Sequence, residues 1–107
     1  MSDIQQRALL RWAFVCREKG DATFDHVREL IPRHCHLDGE HGENVRGEPA
    51  WEQAMRNCKR DVDRGKDRRR HFVRAPNGAL RLTVRGDQEL GPPLISAQEF
   101  NKWIRKK

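Results

Sequence analysis

Gln53, Asn57, Arg60 and Arg64 follow one another at spacings of four, three and four residues. On an α-helix those spacings place all four on one face, with Arg56 beside them. The side-chain types suit the edges of base pairs. Arginine donates two hydrogen bonds to guanine O6 and N7, and asparagine or glutamine pairs with adenine N6 and N7. A face that serves solubility alone more often sets Glu against Lys at i, i+4; here the acid nearest the arc is Asp61. The plainer alternative is a solvated, arginine-rich surface. The same stretch has an apolar side made by Trp51, Met55, Cys58 and Val62, with Ala54 at its margin. A helix over 49–65 is therefore expected, with Pro49 in its first turn and Gly65 closing it.

The residues that follow add cations suited to phosphate. Lys66, Arg68, Arg69 and Arg70 lead into a segment carrying Arg74, Asn77, Arg81 and Arg85. Contacts to phosphate position a protein on a duplex without reading its sequence, and the affinity they supply falls steeply with salt. Over the whole chain, 22 Lys+Arg outweigh 16 Asp+Glu, a net charge of +6 in 107 residues. That excess is local. Residues 49–85 carry eleven basic and four acidic groups, whereas residues 21–48 carry three and seven. A basic block of this kind on a small domain points to a polyanionic partner.

A second cluster, His34-Cys35-His36 with His41 beyond it, has metal-ligand chemistry. Imidazole and thiolate bind zinc, and a structural site needs four such ligands. Ligands at adjacent positions strain a tetrahedral site, and the chain has no C-x-x-C. These four remain minor zinc candidates; a loop with incidental histidines is the expected reading, and no cofactor is expected. Cys16 and Cys58 fall on apolar helical faces, where a buried small thiol is the ordinary explanation. His26 and His71 are expected at the surface or its boundary. Asp61, Asp63 and Asp67 lie among arginines, and no glycine-rich phosphate loop or hydrolase motif is present. A binding module, not an enzyme, is expected.

The elements that would hold these residues can be read from periodicity. Ser2 and Gln5 form a capping-box pattern ahead of a wide stripe from Ile4 to Cys16, and Gly20 supplies a stop. So wide a stripe predicts a deeply buried helix, with a partner on its Leu10/Phe14 side as one possible cover. Thr23 caps a second helix with Phe24, Val27, Leu30 and Ile31 inside, and Pro32 marks its expected end. Residues 33–48 show no periodicity and read as a long loop. After the third helix, Leu80, Leu82 and Val84 alternate with Arg81, Thr83 and Arg85, which predicts a strand over 79–84. Paired with Phe72–Arg74 through a turn at Asn77-Gly78, it makes a hairpin over 70–85. Ser96 to Glu99 is a second capping box, opening a short C-terminal helix with Phe100, Trp103 and Ile104 on its apolar side.

Helix, helix, loop, helix, hairpin, helix is the order of a winged helix-turn-helix: a mainly α (α+β) fold with a three-helix core and a β-hairpin wing. One domain over 1–107 is expected. Trp51-Glu-Gln-Ala54, then Gly78-Ala-Leu-Arg-Leu82-Thr83, then Gly86 resemble the N-terminal domain of Mrr-type restriction endonucleases. The likeness spans roughly Trp51–Leu90. It implies a DNA-reading module belonging to a restriction or defence system, attached to or partnering a nuclease. The expected partner is double-stranded DNA, with helix 49–65 in the major groove and the hairpin on the backbone. A protein-interaction domain of the same fold is the first alternative. RNA binding is the second, although single-strand readers display exposed aromatics and all seven aromatics here have plausible core positions. Three cysteines, no export signal and no long apolar run predict a cytoplasmic protein without a membrane span.

Overall fold

The apolar stripe of the first helix is too wide for one neighbour, and the chain surrounds it. A computed structural model describes residues 3–35, 37 and 47–90. In it α1 runs over Asp3–Lys19, and Ala8 and the whole run Leu10–Cys16 are buried. Arg11 is buried with them, at 1% exposed. Leu10 and Phe14, for which a partner was one possible cover, are covered by the chain itself; the Phe14 ring meets that of His34 at a centroid distance of 5.7 Å. Two polar contacts fix the helix across the core. Trp12 Nε1 donates to the Met55 carbonyl at 2.8 Å, and Cys16 Sγ donates to the Leu80 carbonyl at 3.6 Å. Gly20, at φ +81°, ends α1 with its N–H on the Cys16 carbonyl. Ser2 lies outside the described residues.

A two-residue strand, β1 (Asp21–Ala22), comes next and was not legible in the sequence. The second helix, α2 (Phe24–His34), opens on a reciprocal cap. Thr23 Oγ1 accepts from the His26 N–H, and His26 Nδ1 accepts from the Thr23 N–H at 3.1 Å. Histidine thus fills the position that Glu or Gln takes in the usual capping box. Val27, Leu30 and Ile31 are buried, as the periodicity predicts. Pro32 does not end the helix: it lies inside, and α2 continues to His34. Proline removes its own N–H and restricts the residue before it, but the next residues keep helical φ. The Cys35 N–H closes the last turn on the Ile31 carbonyl at 2.9 Å. The helix therefore takes two residues from the expected 33–48 loop; Cys35 and Leu37 are buried beyond it.

The third helix, α3 (Ala50–Asp63), is a residue or two shorter at each end than 49–65. Pro49 stands at its N-cap, its carbonyl accepting from the Glu52 and Gln53 N–H groups. Trp51, Ala54, Met55 and Val62 are buried against α1, and Cys58 is half-buried. Beyond it, β2 (Phe72–Ala75) and β3 (Ala79–Leu82) form an antiparallel hairpin, with Phe72 opposite Leu82 and Ala75 opposite Ala79. Asn77 and Gly78 both take positive φ, at 64° and 72°, and the Ala79 N–H bonds the Pro76 carbonyl. This is the turn predicted from Asn-Gly.

β1 pairs with β3, giving a three-stranded antiparallel sheet in the order β1-β3-β2. The molecule is mainly helical with one small sheet, an α+β arrangement. The third strand stops at Leu82, two residues short of expectation, because Thr83 turns the chain into a further helix, α4 (Val84–Glu89). Val84, expected half-buried in the strand, is 77% exposed. The proposed C-terminal helix around Phe100, Trp103 and Ile104 lies outside the described residues. Among the described residues no helix is long and apolar enough to cross a membrane.

Candidate nucleic-acid interface

With Trp51, Ala54, Met55 and Val62 turned inward, the helical repeat leaves Gln53, Arg60 and Arg64 exposed along α3. Asn57 is half-buried on the same arc. Arg56 is held differently. Its guanidinium carbon stands 4.3 Å from the centroid of the Phe24 ring, and Nη2 is 2.8 Å from a Glu48 carboxylate oxygen. Arg56 therefore braces α3 against the start of α2.

The loop between α3 and β2 has a defined shape. Gly65, at φ +71°, ends the helix. Arg70 takes φ +52°, a left-handed conformation that costs a β-carbon-bearing residue roughly 1 kcal/mol. Hydrogen bonds hold it there. The Arg70 N–H donates to the Asp67 carbonyl, Asp67 Oδ2 accepts from the Phe72 N–H at 3.2 Å, and Thr83 Oγ1 donates to the Arg70 carbonyl at 2.6 Å. Asp67 is thus a loop organiser. The clamp leaves Lys66, Arg68, Arg69 and Arg70 exposed.

Most of the described cations fall into two groups. Arg17, Arg28, Lys59, Arg74, Arg81 and Arg85 each meet a carboxylate within the chain, as Arg56 does. Arg74 stands 3.6 Å from Asp63, joining the hairpin to the end of α3. Arg81 holds Asp21 through Nε at 2.7 Å and Nη2 at 2.9 Å, across the β1–β3 pair. By contrast, among the described residues Arg60, Arg64, Lys66, Arg68, Arg69 and Arg70 have no carboxylate partner for their side chains; on α2, Arg33 shares this state. Six such cations lie within eleven residues at one end of α3 and the loop leaving it. Asn77 is exposed at the hairpin tip.

The Arg81 guanidinium, through its hydrogen bonds and then its charge, holds the Asp21 carboxyl below its ordinary range. A depressed carboxylate stabilises the fold when ionised, and that contribution disappears as pH falls through its lowered value. Arg81→Gln should therefore melt below the parent protein at neutral pH, and the gap should close in strong acid. A gap that persists in acid would mean the guanidinium acts by packing instead.

His71, expected at the surface or its boundary, is buried at 3% exposed, with Nε2 3.1 Å from a Glu89 carboxylate oxygen. Its burial follows from α4, which sequence patterning did not reveal. Glu89 is held below its usual carboxylate range, first by Arg85 and then by His71. Between α1, α3 and the loop a cleft of about 360 Å³ opens beside Asn57. Burial, then the nearby Asp67 and Asp61 charges, push the Cys58 thiol in its wall up to about 12. Cys16 is pushed up to about 12 as well, mainly by burial. Both thiols stay protonated near neutrality and are poor nucleophiles. Of the zinc candidates, His34 is exposed on α2 and Cys35 is buried; His36 and His41 lie outside the described residues. Comparison with known protein families, with curated proteins and with solved structures gives no match.

Proposed function

We propose that the chain is a winged-helix module that binds double-stranded DNA, with α3 in the major groove and the β2–β3 hairpin as a wing along the backbone. The observation that carries this reading is the run of cations without carboxylate partners: Arg60, Arg64, Lys66, Arg68, Arg69 and Arg70. A surface built only for solubility gains from pairing its charges, as most other described cations here do. An unpaired run at the end of a helix with one exposed face suits phosphates spaced along a backbone.

The framework supports the same reading. Pairing of β1 with β3 and the Arg74–Asp63 contact tie the hairpin to the helices, so a wing would be presented at a fixed angle. Gln53, Asn57 and Arg60 supply donors and acceptors for base edges. Arg56, Arg74 and Arg81 are already engaged inside the chain and contribute less to the proposed surface than their charge implied. The five described aromatics are buried or, for Phe24, half-buried under arginines, which disfavours stacking on single-stranded RNA. By the resemblance of its third helix and hairpin, the module would serve a restriction or defence system as its target reader, with a nuclease as partner.

A selection from random duplexes followed by titration tests the assignment. Asn57→Ala and Arg60→Ala should each weaken the selected site by about 1–3 kcal/mol and relax preference at one position. Unchanged affinity and preference in both would move the reader off this arc.

A further inference from the structure

The cleft beside Asn57 is built from unlike walls. Leu9 of α1 with Ala54, Cys58 and Val62 of α3 makes an apolar slot. Lys66, Arg68 and Arg69 of the loop bring three cations to the same space. Its volume of about 360 Å³ falls near the lower end of the range for small-molecule sites, roughly 300–1,000 Å³. Asp61 and Asp67 also line it. Two carboxylates make the cleft a poor place for a bare phosphate, but they are acceptors for amino and imino N–H groups.

We propose that this cleft is a site for one nucleotide, its base in the apolar slot beside Asn57 and its phosphate on Lys66, Arg68 and Arg69. A flat base with polar edges matches the slot and its acceptors, and an attached phosphate matches the loop. No simple anion or plain apolar ligand uses both. The nucleotide has two sources: a free mononucleotide, or a nucleotide turned out of a DNA strand lying on α3. Asn57 belongs both to the exposed arc and to the cleft, so a strand on the arc passes the cleft mouth. The extruded source rests on the DNA reading given above, whereas a free nucleotide would bind whether or not DNA does.

The test titrates the full chain with deoxyguanosine monophosphate, deoxyguanosine and deoxyribose 5-phosphate by calorimetry. In parallel, duplexes carry 2-aminopurine at each position in turn, a base whose fluorescence rises when it leaves the stack. The nucleotide should bind at least about tenfold more tightly than either fragment, or 2-aminopurine should brighten at a defined position; the first outcome identifies a free ligand, the second an extruded one. Arg68→Ala with Arg69→Ala, both exposed, should weaken the nucleotide while leaving deoxyguanosine unaffected. Ala54→Leu, which fills the slot, should weaken both, with circular dichroism confirming that it folds. Deoxyribose 5-phosphate binding as tightly as the nucleotide overturns the site. So does the absence of both nucleotide binding and brightening; duplex binding in that case would leave the DNA reading standing and remove only the cleft.

Discussion

Replacing Gly86 by alanine should lower the melting temperature by on the order of 10–20 °C, although the change adds a single methyl group. A β-carbon there would lie far inside van der Waals contact with the His71 carbonyl oxygen and 2.8 Å from Leu82 Cδ1. The carbonyl belongs to backbone that cannot retreat freely, because the same oxygen accepts from the Thr83 N–H at 3.0 Å. Gly86 also donates its own N–H to Thr83 Oγ1 at 2.9 Å, the cap that starts α4. Insertion of a group where nothing can give costs about 3 kcal/mol. Gly20 is the control: it has φ +81° and open space where a β-carbon would go. Gly20→Ala should cost only about 1 kcal/mol. If the Gly86 and Gly20 variants melt alike, the close approach of α4 to β2 is wrong.

This contact explains what Leu82-Thr83-x-x-Gly86 does physically. Leu82 ends the strand, Thr83 caps the helix, and Gly86 lets that helix lie against the backbone ahead of β2. The spacing was visible in the sequence, but alternation through Val84 read it as more strand. Period-two patterning records which side chains alternate and says nothing of a hydroxyl about to bond the amide three residues on. Where burial follows helical repeat, the reading was accurate: Trp51, Met55 and Val62 face inward, and Gln53, Arg60 and Arg64 face out. It failed where long-range contacts decide. Arg81 is outward on its strand as expected, yet its partner Asp21 lies sixty residues earlier on a strand too short to leave a pattern. His71 is buried by a helix that starts after it, and the cleft depends on how α1 crosses α3. Pro32 was read by its usual consequence, when its actual place in the last turn of α2 leaves the following amides free to close that turn.

The second large effect concerns the loop. Arg68, Arg69 and Arg70 changed together to alanine should weaken binding to every duplex by about two to three orders of magnitude near 0.1 M salt, since each phosphate contact releases close to one counterion. Because such contacts carry no sequence information, the rank order of duplexes should be unchanged. The protein should remain folded. All three side chains are exposed, and the clamp around them uses the Arg70 backbone, Asp67 and Thr83. Losing affinity for one sequence while keeping it for others would place these arginines on bases instead. Losing nothing would place the polyanion elsewhere.

Those variants refine a claim that one titration addresses first: the measurement is the affinity of the unaltered chain for a double-stranded DNA as salt is raised. If the run from Arg60 to Arg70 lies on phosphates, the logarithm of the binding constant should fall linearly with the logarithm of salt concentration. Its slope should be about −3 to −5, as expected for three to six neutralised phosphates. Absence of duplex binding at low salt, or binding whose strength does not change with salt, would contradict the account.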